Sequence, residues 1–161
     1  MRLRRSARAL VLTPDRDVLL AEHHPGGVRV RALPGGGLEP AEDVRSALRR
    51  ELLEETGLDV DPAACPHVWR RTVLEPWAAP GWDGALEDVF LVRVPAAFTP
   101  RGAFDADRLR AEDLHGFGWW SLSEVAAMPA HGVLTAPADL AALVPRALRL
   151  PPGAVPLVVG T

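Results

Sequence analysis

The segment Gly36-Gly37-Leu38-Glu39-Pro40-Ala41-Glu42-Asp43-Val44-Arg45-Ser46-Ala47-Leu48-Arg49-Arg50-Glu51-Leu52-Leu53-Glu54-Glu55-Thr56-Gly57-Leu58 carries the strongest local signal in the chain. It predicts a helix over Pro40 to Thr56: Pro40 suits a first helical position, and Glu42 and Asp43 favour a helix N-terminus. Gly57 suits the left-handed position beyond the last turn, with Leu58 placed to touch Leu53. At about 100° per residue, Val44, Ala47 and Leu48 share one face. One turn on, that face carries Glu51, Glu54 and Glu55 instead of apolar side chains. Their spacing converges on one patch, at the helix end where the dipole disfavours negative charge. Arg50 can pair with Glu54 one turn later, yet one arginine does not balance three carboxylates. A solvated acidic helix end is one reading. A hard divalent cation such as Mg²⁺ is the other, since it takes few carboxylates plus water and phosphate oxygens.

Short β-like runs precede this helix: Ala7 to Leu12, in a strand beginning near Ser6, then Val18 to Glu22 and Val28 to Leu33. Thr13-Pro14-Asp15, Pro25-Gly26-Gly27 and the loop Pro34-Gly35-Gly36-Gly37 punctuate them. After the helix, Val68 to Leu74 and Asp88 to Val94 read as strands joined by a Pro/Gly/Trp loop, Glu75 to Ala85. Ala96 to Asp113 reads as mostly polar loop and Phe117 to Trp120 as a strand. Ser123 is placed to cap a helix ending near Met128-Pro129. Ala138 to Leu150 reads as helical with a bend around Pro145, and Pro151 to Thr161 as an extended tail. With no repeat or long linker, the 161 residues predict one domain with a core over about 6–127 and a C-terminal helix and tail over 128–161.

Composition excludes several classes. A net charge of −3 offers no basic footprint for a nucleic-acid polymer. The apolar run Ala9-Leu10-Val11-Leu12 behind the basic N-terminus is too short for a signal peptide or a membrane span. Cys65 is the lone cysteine, which fits a reducing cytoplasm, and its context shows nothing that would activate the thiol.

Gly36, Glu42, Arg50, Glu51, Leu52, Glu54, Glu55, Gly57 and Leu58 fill every fixed position of the pattern GX5EX7REUXEEXGU, where U is aliphatic. Chance would produce such a match on the order of once in a billion starting points or fewer. The segment resembles the Nudix box. Leu33-Pro34-Gly35-Gly36-Gly37 and Trp119-Trp120-Ser121-Leu122-Ser123-Glu124-Val125 are similar to the family's usual surroundings, so the resemblance spans roughly 6–127. It implies an α/β/α sandwich with a mixed β-sheet, and Mg²⁺- or Mn²⁺-dependent hydrolysis of a phosphoanhydride. The substrate would be a nucleoside diphosphate linked to another moiety, or a nucleoside triphosphate. Glu51, Glu54 and Glu55 would be metal ligands, with a glycine-loop carbonyl, Gly35, completing the set. Arg50 would orient the acids and Glu42 would brace the loop.

The general base stays open among the box glutamates, Glu54 and Glu51 included, and acids outside it: Glu112 or Asp113, and Glu87 or Asp88. Trp77 and Trp82 could stack on a nucleobase, or pack over the sheet or a dimer partner. Arg29 and Arg31 could reach substrate phosphates or line a solvated strand face. His23-His24, with no further ligand cluster, reads as a surface or cleft-rim pair. With no tyrosine and no accessory motif of the better-marked subtypes, the substrate is not selected; a homodimer is family habit. Two other functions compete with hydrolysis. A catalytically silent nucleotide-sensing module would generally have lost box carboxylates, all of which are present. An isomerase on this scaffold needs a cysteine and acids in contexts this chain lacks.

Overall fold

The computed structural model describes residues 1–160. Nine strands join one mixed sheet: β1 (Leu3–Leu12), β2 (Val18–His23), β3 (Val30–Ala32), β4 (Gly35–Gly37), β5 (His67–Val73), β6 (Gly84–Arg93), β7 (Gly116–Trp120), β8 (Leu134–Ala136) and β9 (Leu157–Val159). Four α-helices accompany them: α1 (Val44–Thr56), α2 (Ala106–Ala111), α3 (Leu122–Ala127) and α4 (Leu140–Leu148). The sheet order is β8-β3-β2-β1-β6-β5-β9, with β4 added to β1 and β7 to β2.

β1 and β6 run parallel from Leu3↔Gly84 to Leu12↔Arg93 and form the buried centre. Strand alternation sorts their side chains onto two faces. Ala7, Ala9, Val11, Phe90 and Val92 pack with Ala47, Leu48 and Leu52 of α1. Leu10, Leu12, Val89 and Leu91 pack with Val125 of α3 and Leu140, Leu143 and Val144 of α4. The result is the expected α/β/α sandwich, with a helix layer against each face. Among the described residues no helix is long and apolar enough to cross a membrane.

A cleft follows from how β1 is paired. It meets β2 only at Leu12↔Val18, while Ser6, Ala7 and Arg8 pair with Gly37, Gly36 and Gly35 of β4. The sheet therefore opens between the start of β1 and the end of β2.

Several boundaries differ from the sequence reading, each for a visible reason. β1 begins at Leu3 and β6 at Gly84, not near Ser6 and Asp88, because the two strands sustain each other in parallel. The helix starts at Val44 and not at Pro40: Asp43 caps it, accepting from the Ser46 N–H at 2.8 Å. Ser121, not Ser123, caps α3, in a reciprocal capping box with Glu124. Part of the expected 96–113 loop is α2, capped by Asp105. The extended tail contributes β9, which pairs in parallel with β5 at Trp69↔Leu157.

Candidate active site

The glycine loop and the end of α1 are built against each other. Gly35 has φ +139°, and a Cβ there would stand 2.1 Å from the Ala7 carbonyl oxygen, so only glycine lets β4 lie on β1. A Cβ on Gly36 would stand 2.5 Å from Glu51 Oε1, so this glycine makes room for a carboxylate. The Gly35 N–H donates to Glu55 Oε1 at 3.0 Å. At the helix end Gly57 adopts φ +76° and donates to the Leu53 carbonyl, the left-handed cap expected from the sequence.

Arg50 is the hub. Its Nε and Nη2 donate to Glu42 Oε2 and Oε1 at 2.8 and 2.9 Å, and Nη2 also reaches the Gly37 carbonyl at 3.0 Å. Its Nη1 donates to Glu51 Oε1 at 3.0 Å and to Glu54 Oε2 at 3.1 Å. Because Asp43 takes the capping position, Glu42 lies just outside the helix, free to fold over Arg50. Arg8 supports the loop from β1, donating to the Gly35 carbonyl at 2.8 Å.

The electrostatics are uneven. Glu51 and Glu55 are both buried. Burial first, and then the neighbouring Glu51 charge, pushes the Glu55 carboxyl up to about 8. Burial likewise raises Glu51, against the pull of Arg50. Glu42 moves the other way, held below the usual carboxylate range by hydrogen bonds from Arg50. Two buried carboxyls thus repel each other, and the Arg8 charge, which is felt by both, offsets this only in part. The donors available to an ion, carboxylates and a backbone carbonyl, are hard oxygens of the kind Mg²⁺ and Mn²⁺ take. In this conformation no three acids, histidines or cysteines among the described residues close around one point. Arg50 engages Glu51 and Glu54, and the Gly35 N–H engages Glu55. The chemistry of the donor set fits a divalent cation, and the Arg50 contacts are what such an ion would compete with.

These acids face a cavity of about 930 Å³ set in the opening of the sheet. Gly35, Glu51, Glu54 and Glu55 line it together, as do Glu112, at the end of α2, and Asp113. Glu87 lines it, whereas Asp88 does not. Asp88 is fully buried among Arg5, Arg70 and His67. Trp77 lines the cavity; Trp82 does not and lies under the Arg2 guanidinium. Arg29 and Arg31 also lie outside the lining and both donate to Glu22, Arg31 while stacked on Trp120. His23 reaches the cavity, its imidazole lowered to about 4 by burial and by the Arg8 charge. His24 stacks on His115 with ring centroids 3.9 Å apart. Cys65 is buried, and burial raises its thiol.

Arg4, Arg8 and Arg71 also line the cavity, and the sequence reading passed over all three. A signal was present for two: Arg4, Ser6 and Arg8 alternate onto one face of β1. Arg71 carries no such local mark.

Comparison with known proteins gives a consistent picture. The NUDIX domain family model matches residues 2–138. A search of curated proteins finds no match. Among solved structures, a NUDIX hydrolase from Nitrosomonas europaea is similar at 24% identity and TM-score 0.65, with 92% of this chain and 91% of that one covered. The NUDIX domain of Shewanella oneidensis NrtR, solved with ADP ribose, is similar at 15% identity and TM-score 0.66, with 92% and 90% covered. The Escherichia coli ORF135 protein is similar at 23% identity and TM-score 0.58, with 96% of each chain covered.

Proposed function

This chain belongs to the Nudix family and is a Nudix hydrolase; we propose that it cleaves a phosphoanhydride in a small nucleotide or nucleotide derivative, using Mg²⁺ or Mn²⁺. The observation that carries this reading is that Glu51, Glu54 and Glu55 line one cavity, with Glu51 and Glu54 held by a single arginine that Glu42 clamps. Glu51, Glu54, Glu55 and the Gly35 carbonyl would hold the cation. When bound, it neutralises phosphate charge that otherwise repels an incoming water.

The rest falls to the chain's own groups. Arg50 keeps Glu51 and Glu54 aimed into the cavity, and Glu42 keeps Arg50 from turning away. Gly36 leaves the Glu51 carboxylate room beside the loop. Glu54, less buried than Glu51 and Glu55, would take a proton from water through the oxygen that Arg50 does not hold. Glu112 stands in the same cavity as the other candidate for that step. The substrate is a small molecule rather than a polymer, in keeping with the net charge of −3. A cytoplasmic location completes the reading. A silent sensing module is not favoured, because every box carboxylate is in place.

The test is a panel of nucleoside triphosphates, oxidised triphosphates, ADP-ribose, nucleotide sugars and dinucleotides, run with Mg²⁺, with Mn²⁺ and with chelator, beside Glu54→Gln. The expected result is turnover that needs the cation and falls by orders of magnitude in Glu54→Gln. Turnover on no member of the panel, or equal turnover in the variant, counts against the reading.

A further inference from the structure

A second cation stands beside the acids of the site, and it is held far less firmly than Arg50. Arg8 lies opposite Gly35 in the β1–β4 pair, and its Nη1 donates to the Gly35 carbonyl at 2.8 Å. We propose that Arg8 is a built-in counter-cation for this site. It takes the Gly35 carbonyl while the divalent cation is absent and moves onto Glu87 when that cation binds. Arg8 and Glu87 together would then set how tightly the protein holds its metal. This rests on the cation-dependent hydrolase reading above and adds to it two residues outside the signature segment.

The hydrogen bonds decide which arginine can yield. Arg50 would stay anchored by Glu42 and the Gly37 carbonyl even if its Nη1 let go of Glu51 and Glu54. Arg8 has one well-made bond, to Gly35, and its contact with the Leu33 carbonyl is stretched to 3.4 Å. Its Nε is sealed from solvent and has no hydrogen-bond partner among the described residues. Glu87 Oε1 stands 3.4 Å from that nitrogen, close enough for attraction but outside hydrogen-bond geometry. A buried donor left unpaired is costly, so a short move of Arg8 towards Glu87 removes a defect. Glu87 can receive it, because Arg71 Nε takes the other carboxylate oxygen, Oε2, at 3.1 Å.

Electrostatics supply the reason to move. The Arg8 charge favours the ionised form of both Glu51 and Glu55, against the burial that raises them. The residue whose carbonyl it occupies also donates its N–H to Glu55. Arg8 therefore sits among the same oxygens that would hold the ion. Two cations drawn to one carbonyl repel each other strongly in a partly buried site. The weakly held arginine gives way more readily than a divalent ion with several oxygen ligands, and Glu87 offers it a negative charge on the same cavity wall.

The test measures Mn²⁺ binding without substrate, from the loss of the free-ion signal in electron paramagnetic resonance. Arg8→Met removes the charge and keeps an unbranched side chain. It should bind Mn²⁺ at least about fivefold tighter than the unaltered protein, the effect of one unit charge at close range even in water. Its metal-free melting temperature at pH 8 should fall, since nothing then offsets Glu51 and Glu55 together. Glu87→Gln should weaken Mn²⁺ binding, and by at least about threefold less when Arg8→Met is also present, because no arginine then needs a place to go. The Arg8 Nε–H resonance of the unaltered protein, followed by NMR as Mg²⁺ is added, should shift as that nitrogen gains an acceptor, and this readout does not depend on any variant folding. Mn²⁺ binding no tighter in Arg8→Met overturns the proposal and leaves the hydrolase reading. So does an Nε–H resonance unmoved by saturating Mg²⁺, or a Glu87→Gln effect that is the same with and without Arg8. Failure of both proteins to bind Mn²⁺ removes the cation reading as well.

Discussion

Arg50 grips Glu42 with two parallel hydrogen bonds, Nε to Oε2 at 2.8 Å and Nη2 to Oε1 at 2.9 Å, and this grip aims its remaining nitrogen at Glu51 and Glu54. The pairing explains why charge alone is insufficient at position 50. A lysine would keep the cation but has a single point of donation on a flexible stem. Arg50→Lys is therefore expected to lower kcat/KM by about 10- to 100-fold, the usual cost of removing support behind a ligand set. The stability loss should be on the order of 1–3 kcal/mol, since the pair is only partly buried. Steady-state kinetics beside a denaturant titration separates the two. Full activity in Arg50→Lys would show that the fork is dispensable.

Adjacent glycines should fail in different ways. A Cβ on Gly36 meets the end of the Glu51 side chain, which can swing aside, so Gly36→Ala should fold with little loss of stability and lose most of its turnover. A Cβ on Gly35 meets the Ala7 carbonyl at 2.1 Å and sits at φ +139°, where neither the backbone nor the neighbour can yield. Gly35→Ala should cost roughly 2–4 kcal/mol through overpacking and backbone strain. Denaturation midpoints and activity measured on both variants check the contrast; equal stability losses would refute it.

These two glycines also mark how far the sequence could be read. The end of α1, its Gly57 cap and the acid patch were legible because they depend on periodicity within a few turns. The start of the helix was not, because Pro40 and Asp43 are both acceptable openings and the Asp43 hydrogen bond to Ser46 decides between them. Arg71 was invisible for a different reason. Its partner Glu87 lies across a strand pair whose register no local pattern specifies. The same holds for β9, whose Leu157–Val159 run becomes a strand only because β5 offers an edge. Alternation alone left Arg29 and Arg31 open as phosphate ligands or as a solvated strand face, and Glu22, one strand over, accepts from both.

Acid should destabilise the protein through Asp88. Burial alone would raise this carboxyl, but His67, Arg70 and Arg5 around it outweigh burial and hold it well below the ordinary range. A carboxyl depressed in the folded state contributes stability in full above its unfolded pKa of about 3.9, and that contribution is lost as pH falls further. The melting temperature should drop steeply below about pH 4 for this reason. Asp88→Asn should cost about 2–4 kcal/mol at pH 7, less than a fully buried pair because Arg5 and Arg70 are half exposed, and should flatten the acid limb. An unchanged acid limb in Asp88→Asn would show that other groups govern acid unfolding.

Glu55 should act at the other end of the pH range and with the opposite sign. Its carboxyl is raised in the folded protein from 4.5 to about 8, first by burial and then by Glu51. Below about pH 4.5 folded and unfolded chains are both protonated, so the group contributes nothing. As pH rises towards 8 the unfolded chain releases this proton while the folded chain retains it, so stability must fall. In metal-free protein the melting temperature is therefore expected to decline between about pH 5 and 8, and Glu55→Gln should remove much of that decline. A divalent cation seated among Glu51, Glu54 and Glu55 would reverse the penalty by binding the ionised form, and it competes with protons for the same oxygens. Millimolar Mg²⁺ should then raise the melting temperature more at pH 8 than at pH 5.5, and the increment should shrink in Glu55→Gln. Thermal melts of both proteins across that range, with Mg²⁺ and with chelator, decide the matter. A Mg²⁺ increment that is independent of pH and untouched by Glu55→Gln would place the ion elsewhere.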